Sequence, residues 1–433
     1  MRVIAGGAWG FAATSRVEEA DADEIARRAV DIARANAKVL KRPVVLAPVT
    51  PRKATWSTEL RIDPFKVKLE EKIEILLALW RAARDVPEIK HGTARVELQG
   101  EWKIFASTDG SLIEQSITRV EPGFEVTAID AGDFVTRAHE LPARQAGWEH
   151  VIESSFRGDG RKVAEDAVRK LRAPQVAPGK RDLILAPSNL WLTIHESVGH
   201  PTELDRVLGL EANLAGTSFA TIEKLGKYKY ASPIVSLYAD KTTRGALATC
   251  GFDDDGEETQ KWDLVKDGIL VGYQTTRDQA AWIGEKRSRG TSYAQDYKSF
   301  PFQRMPNVSL APAAKEISLD DIVAATDDGV LVTGNGSWSI DHQRYNFQFG
   351  GQMFFEVKKG KIAGPLRDVA YQSNTPEFWA SCDMIGGPKS WELHGALNDG
   401  KGEPMQINAV GHGCPPARFR QVNVLNTHPK EST

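Results

Sequence analysis

The sequence predicts an α+β protein, with a mixed α/β N-terminal domain of helices on an antiparallel sheet and a strand-rich C-terminal domain. Three observations carry this expectation. Apolar residues at helical spacing are concentrated in the N-terminal part, dense Asp-Gly and Asn-Gly turns separate short alternating runs beyond Ser232, and an apolar strand runs straight into a short helix between them. A chain of 433 residues exceeds one ordinary core, so two or more domains are expected. The boundary falls at the Pro-containing stretch Ala173 to Lys180, giving domains over 1–175 and 181–433.

Val3 to Phe11 reads as a strand with a tight bend, in preference to a secretory signal, because a single charge precedes it and the cysteine usage does not suggest export. Asp21 to Leu40 carries Ile25, Ala29, Ile32, Ala33 and Leu40 at helical spacing, with Asp21 ahead of Glu24 as a start resembling a capping box. Asn36 interrupts the apolar stripe in its last turns. Lys66 to Val86 is a second amphipathic helix through Ile73, Ile75, Leu76, Leu77 and Leu79. Between Thr93 and Ala131 the period changes to two, with a hairpin turn at Ser107 to Gly110. Arg161 to Leu171 is a third helix. Arg181 to Ala186 reads as a strand, and Ser188 as the N-cap of a helix from Asn189 to Val198. Farther on, Phe347 to Phe355 reads as a core strand that could also pair with an extended peptide, and Asp253 to Gly256 as a turn between strands.

Composition excludes several classes. Lys+Arg 55 against Asp+Glu 58 leaves a net charge of -3, which argues against a nucleic-acid partner. No apolar stretch approaches the roughly 18 to 20 residues of a membrane span. Cys250, Cys382 and Cys414 are too few and too scattered for a disulfide framework, which fits a reducing, cytoplasmic setting.

The segment that points to chemistry is Trp191 to His200, with His195, Glu196 and His200 inside six residues. Zinc-peptidase helices space two histidines four apart, about 40° around the axis, so that both face one metal. Here they are five apart, about 140° on an ideal helix. Gly199 loosens the backbone and Pro201 disfavours helical geometry at His200, so a helix exit or local bulge is expected to bring His200 back toward His195. Glu196 would then act on the water. A catalytic zinc takes a third protein ligand, for which His342, His394, Asp399, His412 and Cys414 are candidates.

His195 to His200, continued through Glu203 and Asp205, resembles the His-Glu-x-x-Gly-His-x-x-Glu-x-Asp pattern of the TldD/PmbA family. Further blocks match in order at Phe252 to Gly256, Val265 to Tyr273, Ser292 to Ala294, Arg304 to Asn307, Gly400 to Gly402 and Pro415 to Val424. The resemblance covers essentially the whole chain. It implies a zinc metallopeptidase acting on unstructured peptides, with His195, His200 and a third residue holding Zn2+, Glu196 as the general base, and Glu203 and Asp205 orienting the imidazoles. The family's third ligand is a cysteine before Gly-Lys. Asp399 stands in that place, with Cys414 as the alternative. The resemblance also implies a homodimer, or a heterodimer with a PmbA/TldE-like paralogue. The missing cysteine leaves open a second reading, a non-catalytic partner that holds peptide for an active paralogue. Relative to the family, about fifty residues before Val3 are expected to be absent, which would leave the N-terminal sheet short of an edge.

Overall fold

A computed structural model describes residues 1–428. At the N-terminus, strands Arg2–Ala5 and Ala8–Phe11 form a hairpin around Gly6 and Gly7, which take φ of 61° and 79°. Helix Glu19–Ala37 lies against this hairpin so closely that a Cβ on Gly10 would sit 2.0 Å from the Ala29 carbonyl oxygen. The helix starts before Asp21, which is buried and paired with Arg16 at 2.9 Å, so the expected capping box is absent. It also ends before Leu40, because the Asn36 side chain donates to the Trp9 carbonyl and fastens the last turn to the hairpin.

The next layer is built on the long hairpin Ile89–Ala106 and Leu112–Asp130. Strand Lys53–Ser57 runs parallel to one end of Leu112–Asp130, and Asp133–Ala138 folds back antiparallel on the other. Helices Leu69–Arg84 and Gly160–Leu171 bury their apolar stripes on one face of this sheet. Leu79, Ala83, Phe124, Val126, Trp148, Val163 and Ala167 form that core.

The C-terminal part closes a ring of strands. Gly179–Leu185 pairs parallel with Asp328–Ile340 and antiparallel with Ala417–Asn426. Val369–Asn374 follows, then Asn346–Lys358, which returns to Asp328–Ile340. Closure removes sheet edges. Strand Asn346–Lys358 has neighbours on both sides, the second being shared by Val369–Asn374 and Lys361–Leu366. Phe347, Phe349, Met353 and Phe354 are buried as expected, and the strand is flanked on both sides at Phe347 to Phe349 and at Phe354 to Phe355. Leu190, Ile194 and Val198 pack with Phe347, Phe349, Tyr371 and Phe419 in one large core. A smaller sheet holds Leu237–Asp240, Lys261–Lys266, Ile269–Leu270 and Asn307–Leu310, and the ribbon Glu392–Lys401 with Gln406–Cys414 lies beside it. Among the described residues no helix is long and apolar enough to cross a membrane.

Candidate metal centre

Strand Gly179–Leu185 delivers the chain into helix Pro187–Ile194, all of whose residues are buried. Pro187 occupies the first helical turn, where its missing N–H costs nothing. Ser188 is consequently not the N-cap; its hydroxyl accepts from Gly334 N at 2.9 Å and ties the helix to strand Asp328–Ile340. Asn189 extends that tie, donating to the carbonyls of Gly334 and Gly350 and accepting from the Tyr371 hydroxyl.

The helix then changes pitch. His195–Gly199 forms a π turn, closed by His200 N–H on the His195 carbonyl, and His200–Thr202 tightens into a 3-10 turn. The wide turn absorbs one extra residue, so two histidines five apart reach the same face, with ring centroids 4.6 Å apart. A Cβ on Gly199 would come to 2.5 Å from Met305 Sδ, so any larger residue there would have to displace the Met305 side chain.

Hydrogen bonds orient both rings. His412 Nδ1 donates to the Val308 carbonyl at 2.8 Å, so its Nε2 accepts from His195 Nδ1 at 2.9 Å. His200 Nδ1 donates to Glu203 Oε2 at 3.0 Å. Both histidines therefore turn Nε2 toward Asp399, whose Oδ1 lies 3.5 Å from His195 Nε2 and 3.7 Å from His200 Nε2. One donor atom from each of these three buried residues lies within 4.8 Å of the others. Burial, with the neighbouring Arg344 and His195 charges, pushes His200 down to about 4 and so keeps it neutral. Burial opposes ionisation of Asp399, but a proton shared with His195 Nε2 and the Arg304 guanidinium hold it well below the usual carboxylate range. Two imidazoles and a carboxylate form a donor set suited to a divalent cation.

Asp399 arrives from the ribbon strand Glu392–Lys401, whose register shifts between Ala396 and Asp399. Arg304 Nη2 holds its Oδ2 at 3.3 Å. Two residues on, the fully buried Lys401 donates to Glu203 Oε1 at 3.2 Å, Asp205 Oδ1 at 2.8 Å and the Gln303 carbonyl at 3.0 Å. Glu203 thus orients an imidazole, whereas Asp205 meets the Lys401 ammonium and no ring, contrary to expectation. Glu196, beside His195, is buried and accepts from Arg344 Nη1 at 2.5 Å.

The other candidates fall elsewhere. Cys414 is buried with its Sγ 3.7 Å from the Pro187 carbonyl and is outside the donor cluster, which corrects its reading as an alternative third ligand. His394 pairs with Glu392 at 3.2 Å. The backbone carbonyl of His342 accepts from Thr217 N. His412 has both nitrogens engaged, so it supports His195 and has none left to donate to a substrate. Arg344, Arg304 and Lys401 were not singled out by sequence reasoning. Each reaches the site from a distant segment, and the only local sign was that Arg304 and Lys401 lie within the matching blocks.

A closed strand ring thus carries a buried helix on which two histidines converge with a carboxylate beside a glutamate, a group that could hold a metal ion. The chain belongs to the PmbA/TldD family. Its residues 62–173 match the PmbA/TldA metallopeptidase central domain and 178–426 the PmbA/TldA metallopeptidase C-terminal domain. It is 27% identical over 427 residues to a metalloprotease of Methanothermobacter thermautotrophicus, spanning 99% of this chain and 88% of that one. A zinc metalloprotease TldD homolog of Saccharolobus solfataricus is 24% identical over 263 residues, 59% of this chain and 54% of its own. The crystal structure of TldE from Thermococcus kodakarensis superposes with a TM-score of 0.68 at 18% identity, covering 98% of this chain and 88% of that one, and shares the fold.

Proposed function

We propose that this protein is a zinc-dependent peptidase hydrolysing peptide bonds in unstructured peptides or peptide segments. The observation that carries the reading is the convergence of His195 Nε2, His200 Nε2 and Asp399 Oδ1 next to Glu196. A tetrahedral zinc about 2.0 to 2.2 Å from each ligand separates the ligand atoms by about 3.3 to 3.6 Å. The 3.5 Å separation falls inside that range and the 3.7 Å separation just above it. His195, His200 and Asp399 would hold the ion, and the name of the Saccharolobus relative supports zinc. When bound, zinc supplies a Lewis acid that polarises the scissile carbonyl and makes water easier to deprotonate.

The protein's own groups do the rest. Glu196 accepts a proton from the attacking water on its carboxylate and gives it to the leaving amine. Glu203 and His412 fix the ring orientations and leave each Nε2 free to bind the ion. The reading includes a second subunit, either another copy of this chain or a PmbA/TldE-like paralogue. The alternative, a scaffold that only holds peptide, has no use for three converged donors and a buried glutamate beside them.

Metal analysis with peptide cleavage tests the reading. Purified protein is expected to hold one zinc per site and to cleave unstructured peptides, and Glu196→Gln to keep the metal while losing about 10² to 10⁴ in kcat. Absence of stoichiometric metal from the wild type would overturn it.

A further inference from the structure

Arg344 sits in the turn between strands Asp328–Ile340 and Asn346–Lys358, in the left-handed region at φ 63°. The turn is firmly held. Arg344 N donates to the Asp341 carbonyl at 2.9 Å, Tyr345 N donates to Asp341 Oδ1 at 2.8 Å, and Thr375 Oγ1 donates to the Arg344 carbonyl at 2.7 Å. A bulky residue kept in this backbone region by its surroundings is a mark of functional constraint. The side chain is 16% exposed and enters the site from the side of Glu196.

A guanidinium offers five N–H donors. Among the described residues that of Arg344 makes one hydrogen bond, from Nη1 to Glu196 Oε2. Its Nε is buried without a partner. Nε and Nη2 form the side-on fork of an arginine, the edge that matches two oxygens of an anion. Glu196, Glu203 and Asp399 all act on the Arg344 charge, and none of them accepts from Nε or Nη2. The empty edge therefore calls for an anion that arrives with the substrate.

We propose that Arg344 binds a negatively charged oxygen of the peptide substrate, either the oxyanion formed at the scissile carbonyl or the substrate's terminal carboxylate. This rests on the peptidase reading. In the oxyanion case the steps balance around Glu196. The water oxygen bonds to the carbonyl carbon, its proton moves to Glu196, and the C=O π pair moves to the carbonyl oxygen, which becomes the anion. Glu196 loses its charge as the oxyanion gains one, so the guanidinium passes from one to the other. Collapse re-forms C=O, breaks the C–N bond, and returns the Glu196 proton to the amine.

The test uses the metal-loaded full chain, Arg344→Lys and Arg344→Gly, the latter being at ease at positive φ. Four measurements are made: metal content, kcat and KM on one peptide with a free or an amidated C-terminus, the pH profile, and calorimetric binding of a phosphonate analogue of that peptide. Stabilisation of the oxyanion predicts that Arg344→Gly keeps its metal, loses about 10² to 10³ in kcat on both peptides, and binds the phosphonate correspondingly more weakly. Capture of the terminal carboxylate predicts a raised KM for the free-carboxylate peptide alone. Plateau kcat and KM within about twofold of wild type, with only the acid limb displaced, would reduce Arg344 to a partner of Glu196 and overturn the proposal. Loss of metal in both variants would equally overturn it. A wild type that neither holds metal nor cleaves peptide overturns the peptidase reading itself.

Discussion

Asp399 holds its place through Arg304, through the two imidazoles, and through a strand whose register shifts just before it. A carboxylate oxygen is a harder donor than a thiolate, so it discriminates less against manganese and iron. Asp399→Cys is therefore expected to retain zinc and to raise the zinc-over-manganese preference, while Asp399→Ala loses the metal; competitive loading followed by elemental analysis reads both. Lys401 is the other residue on which the centre depends. Its ammonium lies buried between Glu203 and Asp205. Lys401→Met would strand both carboxylates and free Glu203 from its place behind His200. Metal affinity should drop about 10- to 100-fold, and unfolding free energy by about 3 to 5 kcal/mol. Metal titration and denaturant unfolding check this, and an unchanged affinity would mean that Arg206, whose Nε donates to Glu203 Oε2 at 3.2 Å, is enough to keep Glu203 in position.

The π turn His195–Gly199 decides whether the centre exists. Its need was legible from the five-residue spacing, because helix pitch makes that spacing incompatible with a regular helix. The expected departure of His200 from helical geometry ahead of Pro201 is not met, since His200 keeps φ -62° and ψ -44°. Ser188 illustrates the opposite case. Its residue type is right for an N-cap, but Pro187 takes the first turn and the hydroxyl is claimed by Gly334. Gly199→Ala should press a Cβ on Met305, adjacent to the Arg304 that holds Asp399. An activity loss is expected, with partial recovery in Gly199→Ala with Met305→Ala; purely additive effects in that double-mutant cycle would argue against the coupling. In the N-terminal hairpin, Gly10→Ala meets the backbone oxygen of Ala29, which cannot swing aside. Faster amide exchange in helix Glu19–Ala37, with peptidase activity intact, is the expected result, since the hairpin and helix contribute no residue to the centre.

Across the whole molecule, the centre joins pieces far apart in the chain, as Lys401 and Glu203 are 198 residues apart. A metal that binds only the folded state adds about 2.7 kcal/mol of stability at a hundredfold excess over its dissociation constant. Chelation should accordingly lower the melting temperature of the wild type, and scanning calorimetry should find that difference gone in Asp399→Ala. The α+β class, the helices near 66–86 and 161–171, and the His195, Glu196 and His200 set all follow from local period and spacing, so they were determined by the sequence itself. The family blocks added Asp399 and Glu203. Tertiary structure alone decided that Asp399 and not Cys414 faces the histidines, that His412 supports His195, that Asp205 serves Lys401, and that Arg344 reaches Glu196. Each of these is a meeting of side chains from separate strands or turns. The physical reason is that local propensity records only near neighbours, whereas these partners are chosen by strand register, ring closure and the burial of charges that must find one another.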